Sequence, residues 1–77
     1  MAIATKIKAL LSLTNKNHAD LAAYLEISPQ ALSNKLYRNS FSAEDLIKIA
    51  EFCGCSLVFQ SDSGSIILDN SDLRLHE

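Results

Sequence analysis

The chain has 77 residues, of which 48% are hydrophobic and 21% charged, with two glycines and one proline. That length bounds it to a single domain (1–77) with a modest core, and the composition is that of an ordinary globular fold rather than a disordered or repetitive one. A net charge of −2 argues at first against a nucleic-acid partner, because basic surface supplies most of the affinity for phosphates, and no stretch approaches the ~18 apolar residues that span a bilayer.

A first helix is predicted over about residues 2–13, with Ile3, Ile7, Leu10 and Leu11 on its inner face at helical spacing. The opening MAIATKIKALLSL lacks an apolar run with a cleavage site, so the expectation is a cytoplasmic protein without a membrane partner. Residues 18–37, HADLAAYLEISPQALSNKLY, then read as two short helices joined by a tight turn. Asn17 is a good N-cap with Asp20 three residues on, an Asp version of the capping box, and Leu21, Ala22 and Leu25 share one face. The next helix begins at Pro29, whose missing N–H costs nothing at the first helical position, with Ser28 as its cap and Ile27 and Leu32 spaced as a hydrophobic staple.

A fourth helix follows, with Ser42 as N-cap, Asp45 three residues later and Phe41 and Leu46 as a staple. Leu46, Ile49, Ala50 and Cys53 form its apolar stripe, and Gly54 ends it because glycine adopts the left-handed conformation freely. The period then becomes extended. Strands over 56–60 and 65–69 flank the turn residues 61–64, which makes a β-hairpin (56–69) after a helical core (1–55), with a short tail (70–77). Alternation puts Leu57 and Phe59 on one face and Val58 on the other, and opposes Ile67 to Ile66 and Leu68. One face is expected to cover the helices. The apolar residues Val58, Phe59, Ile66, Ile67 and Leu68 are then the expected dimer interface, since a lone hairpin with apolar surface is marginal and its edge invites pairing. The alternative is a hairpin that only closes the core, with dimerisation through the fourth helix or only on DNA.

Charge is divided along the chain. Residues 1–41 carry Lys6, Lys8, Lys16, Lys35 and Arg38 against Asp20 and Glu26, a balance of +3, and residues 42–77 carry a balance of −5. The basic half contains the paired helices, an asymmetry that would hold the acidic half away from phosphates.

Residues 18–37 resemble the helix-turn-helix of lambda-repressor/Cro-like (XRE-type) regulators, in the small phage and Firmicutes branch. Leu21 and Ala22 stand where that motif has its buried Leu-Ala pair, Ile27 at its turn aliphatic, and Leu32-Ser33 at its aliphatic-Ser pair. The resemblance runs from about Ile7 to Leu57 and leaves out the C-terminal strands. It implies a mainly α, four-helix lambda-repressor-like DNA-binding domain, here with a C-terminal β-hairpin. Two residues depart from the pattern. Glu26 occupies a turn position where the family usually has Gly, at a cost of roughly 1 kcal/mol if φ is positive there. His18 stands where many members carry a phosphate-binding Gln, and an imidazole donates one hydrogen bond in its place.

Within the third helix Leu32 and Leu36 face the core, and Gln30, Ser33, Asn34 and Tyr37 fall on the opposite side, where they would face the major groove. Gln and Asn each pair bidentately with adenine N6 and N7, which suggests A·T pairs in the half-site. The resemblance places base contacts at Gln30 and Asn34 and phosphate contacts at Ser28, with His18, Lys35 and Arg38 as further backbone contacts.

Cys53 and Cys55 lie one residue apart with no His or Cys to complete a zinc site, so no metal and no cofactor is expected. Two distant histidines and no nucleophile–base motif argue against an enzyme. The function expected is sequence-specific binding of double-stranded DNA at a palindromic operator by a small homodimeric transcriptional regulator, a repressor. The rival is a protein-interaction module of the same fold, antirepressor- or antitoxin-like, using the acidic half.

Overall fold

A computed structural model describes residues 2–73; Met1 and residues 74–77, including Arg74 and His76 of the expected tail, lie outside the described residues. The elements are α1 (Ile3–Leu13), α2 (His18–Leu25), α3 (Pro29–Arg38), α4 (Ala43–Phe52), β1 (Leu57–Ser61), β2 (Gly64–Leu68) and a single 3-10 turn over Asn70–Asp72. The fold is mainly helical, with one two-stranded antiparallel sheet at its C-terminal end.

Local chemistry sets the starts of three of the helices. The Asn17 side-chain oxygen accepts from the Asp20 N–H at 2.8 Å, and Ser28 Oγ accepts from the Ala31 N–H at 3.0 Å. At α4 the capping box is complete, with the Asp45 N–H donating to Ser42 Oγ at 3.1 Å and the Ser42 N–H to Asp45 Oδ2 at 3.0 Å. At α2 it is only half formed: Asp20 meets the Asn17 side-chain amide at 3.2 Å, not its backbone.

Every helix ends the same way. Asn15, Glu26, Asn39 and Gly54 each take a positive φ, between 53° and 71°. The N–H after each reaches back to a carbonyl five residues earlier: Lys16 to Leu11, Ile27 to Ala22, Ser40 to Lys35 and Cys55 to Ala50, at 2.8–3.0 Å. These are Schellman closures. The positive φ expected at Glu26 is thus present, at 61°.

The start of α1 is closed from a distance. Ala2 supplies no side-chain cap, and the Ala4 N–H donates instead to Asn39 Oδ1 at 2.9 Å, across 35 residues of sequence. Asn39 therefore both ends α3 and caps α1. Asn39→Ala should cost about 2 kcal/mol, from left-handed strain and the lost cap together. Asn39→Gly, which relieves the strain but not the lost bond, should cost about half as much, and denaturant unfolding of the two variants separates the contributions.

The core joins Ala4, Ile7 and Leu11 of α1, Leu21 and Ala22 of α2, Leu32 and Leu36 of α3, and Ile49 of α4 with Cys53. Leu10, Leu25, Ile27, Phe41, Leu46 and Phe52 pack around it. Two details differ from the sequence reading. Ile3 is 43% exposed, because the buried stripe of α1 is centred on Ala4, Ile7 and Leu11. On α4, Ile47 is buried and Leu46 half-buried. This helix meets α2, β1 and the 3-10 turn, which cover more of its circumference than one stripe.

The hairpin pairs Leu57 with Leu68, Val58 with Ile67, Phe59 with Ile66 and Ser61 with Gly64, leaving a two-residue turn at 62–63. The expected faces are present, but they do not cover the helices as expected. Only Leu57 and Leu68, at the base, are half-buried. Phe59 and Ile66, further out on the same face, are 67% and 68% exposed. The hairpin therefore meets the helical body only at its base, and the outer part of both strands stands clear of it.

Candidate nucleic-acid interface

The exposed face of α3 is built by the helical period acting on a short polar sequence. Leu32 and Leu36 are buried, and Gln30, Ser33, Asn34, Tyr37 and Arg38 are exposed. Buried Leu21 and Leu32 lie in one cluster, so α2 supports α3 from behind. Gln30 and Asn34, one turn apart, are joined by a bond from Gln30 Nε2 to Asn34 Oδ1 at 3.4 Å. That contact leaves the Gln30 carbonyl as an acceptor and the Asn34 amide as a donor, the complement of an adenine major-groove edge.

His18 is the first residue of α2 and exposed. It shares a shallow hollow with Ser33 and Tyr37 of α3 and Lys8 of α1, and the hollow adjoins a second one containing Asn15, Lys16 and Asn17. Lys8 is the member that sequence reasoning did not single out; only its charge was counted, because nothing in a linear reading places α1 beside the start of α2. The Ser28 hydroxyl oxygen already accepts from Ala31, and its O–H remains able to donate.

Two cations of the basic half, Lys16 and Lys35, are engaged within the protein. Lys16 Nζ lies 5.3 Å from the centroid of the Phe52 ring, which stacks at a tilt on Tyr24 at 5.3 Å. Tyr24 also donates its hydroxyl to Glu51 Oε1 at 3.2 Å. Lys35, read as a phosphate contact, has its ammonium on Asp45 Oδ2 at 3.0 Å. Burial alone would raise the Asp45 carboxyl, but the Ser42 N–H and the Lys35 ammonium outweigh it and hold the group below its ordinary value.

A family model for the bacteriophage CI repressor helix-turn-helix domain matches residues 6–59. The chain belongs to that family. No curated protein and no solved structure matches it. Membership in the CI repressor family makes the protein a DNA-binding regulator of helix-turn-helix type. The matched span takes in all of α2, α3 and α4 and stops inside β1. Most of the hairpin therefore lies outside the matched span. Among the described residues no helix is long and apolar enough to cross a membrane.

Proposed function

We propose that the protein is a repressor that binds double-stranded DNA sequence-specifically as a homodimer in the cytoplasm. Each α3 lies in the major groove and two protomers read half-sites about 34–36 Å apart on a palindromic operator. The observation that carries this reading is the exposed face of α3, where a coupled pair of amides, a hydroxyl and a phenol stand opposite buried leucines in a CI-type fold. Gln30, Ser33, Asn34 and Tyr37 contact bases, and His18, Ser28 and Arg38 contact phosphates. An antirepressor-like module would be expected to carry apolar or acidic side chains on that face instead. Selection of bound sequences from a pool of random duplexes, at stated salt, tests the function; recovery of no enriched sequence would contradict it.

The hairpin is the proposed dimer interface. Val58, Phe59, Ile66 and Ile67 are 37–68% exposed, on a lone two-stranded sheet, and burial of each large side chain is worth about 1.5–3 kcal/mol. Leu68 extends the patch to the helical body. Phe59→Ser with Ile66→Ser removes a directly opposed pair that contributes nothing to the core. The double variant should keep its helical circular dichroism and sediment as a monomer, whereas the unaltered chain should sediment as a dimer. A folded variant that stays dimeric would shift the interface to the helices.

A further inference from the structure

The contact between Lys35 and Asp45 ties the last turns of α3 to the first turn of α4. Lys35 lies on neither the core side nor the reading side of α3. Its side chain is 32% exposed and that of Asp45 20% exposed, with Nζ to Oδ2 at 3.0 Å. The ammonium also stands 6.0 Å from the centroid of Phe41, the residue just before the α4 cap. Asp45 Oδ2 is the oxygen that accepts from the Ser42 N–H. One carboxylate thus closes the α4 cap and clamps α3. The Lys35 carbonyl accepts from the Ser40 N–H, so the connection between the helices is fastened from both the backbone and the side chain of Lys35.

We propose that Lys35 is a positioning residue, held by Asp45 so that α3 meets the groove at a fixed angle, rather than a residue that touches DNA. This rests on the DNA-binding reading above. Base recognition requires its amides to be held within about 0.5 Å and 10–20°, and Gln30 and Asn34 lie on the same short helix as the clamp. To reach a phosphate, Lys35 would have to leave a half-buried carboxylate and leave that carboxylate unpaired beside the nucleic acid. Paired, the two charges cancel and release no counterion. Arg38, exposed one turn on, is the cation of α3 with its charge turned to solvent.

The two roles make different predictions for Asp45. Full-length Lys35→Met and Asp45→Asn chains are compared with the unaltered chain on a duplex selected from random sequence and on an unselected random duplex, across a salt series. Asparagine can still accept from the Ser42 N–H, and thermal unfolding confirms that both variants are folded at the assay temperature. The proposal predicts that each variant lowers the selected-to-random affinity ratio about 3- to 10-fold, a fraction of one bidentate base contact, with the salt slope of Lys35→Met on random DNA unchanged. Lys35→Arg, which keeps the pair, should restore the ratio.

A salt slope reduced by about 0.9 in Lys35→Met, the value of one lost phosphate contact, would overturn it. So would an unchanged ratio in folded variants. If the unaltered chain binds no duplex at low salt, the DNA-binding reading falls and this inference falls with it.

Discussion

Replacing Gln30 and Asn34 together by alanine is expected to remove most of the discrimination between a selected duplex and random DNA, with little change in the affinity for random DNA. Each bidentate amide–base pairing is worth about 1–3 kcal/mol, so the double variant should lose about 2–6 kcal/mol of specificity, from roughly 30-fold to roughly 20,000-fold in the affinity ratio. The two residues touch, Gln30 Nε2 to Asn34 Oδ1 at 3.4 Å, and side chains in contact do not contribute additively. Each single variant should therefore lose more than half of what the pair loses, because the remaining amide is no longer oriented. Equal weakening on selected and random DNA would show that the amides do not read bases. Arg38→Ala should do what the amide variants do not, weakening both duplexes alike and reducing the salt slope by about 0.9.

Leu32→Ala is expected to have the largest effect on stability. Leu32 is 1% exposed and lies in one cluster with Leu21, which is fully buried. Truncating a buried leucine costs about 2–5 kcal/mol, more where the site cannot collapse. A domain of this size has about 4–12 kcal/mol to lose, and 1 kcal/mol shifts its melting temperature by about 4–8 °C. Melting should fall by at least ~8 °C. Ser33→Ala, one residue away on the exposed face, should stay within about 0.5 kcal/mol of the unaltered chain. A similar melting shift from both would mean that the assigned faces of α3 are wrong.

The contrast between those neighbours was legible in the sequence because it follows from local rules. Pro29 after Ser28, Asp45 after Ser42 and Gly54 after the last apolar residue of α4 are signals contained within one turn of helix. The helix starts and the face of α3 follow from them. Elements that depend on distant chain were not legible. The bond from the Ala4 N–H to Asn39 joins residues 35 apart, and the pairing of Lys35 with Asp45 depends on how two helices are set against each other. Lys35 shows the limit most clearly: its charge and position suit a phosphate contact, and only the packed structure shows that a carboxylate already holds it. Lys8 is the converse, a cation with no motif that the fold places beside His18, Ser33 and Tyr37. The hairpin was visible from its alternation, but its projection was not, because alternation defines two faces without saying how far either is covered.

The central claim is that the exposed face of α3 is the surface that meets DNA. Its most direct test is a titration of the isotope-labelled full-length chain with a selected duplex, followed residue by residue by nuclear magnetic resonance. The account predicts that the side-chain amides of Gln30 and Asn34 and the backbone amides of His18, Ser28, Ser33 and Tyr37 shift most, while the acidic face of α4 around Glu44 and Glu51 changes little. Shifts concentrated on α4 and the hairpin, with the α3 face unmoved, would contradict it.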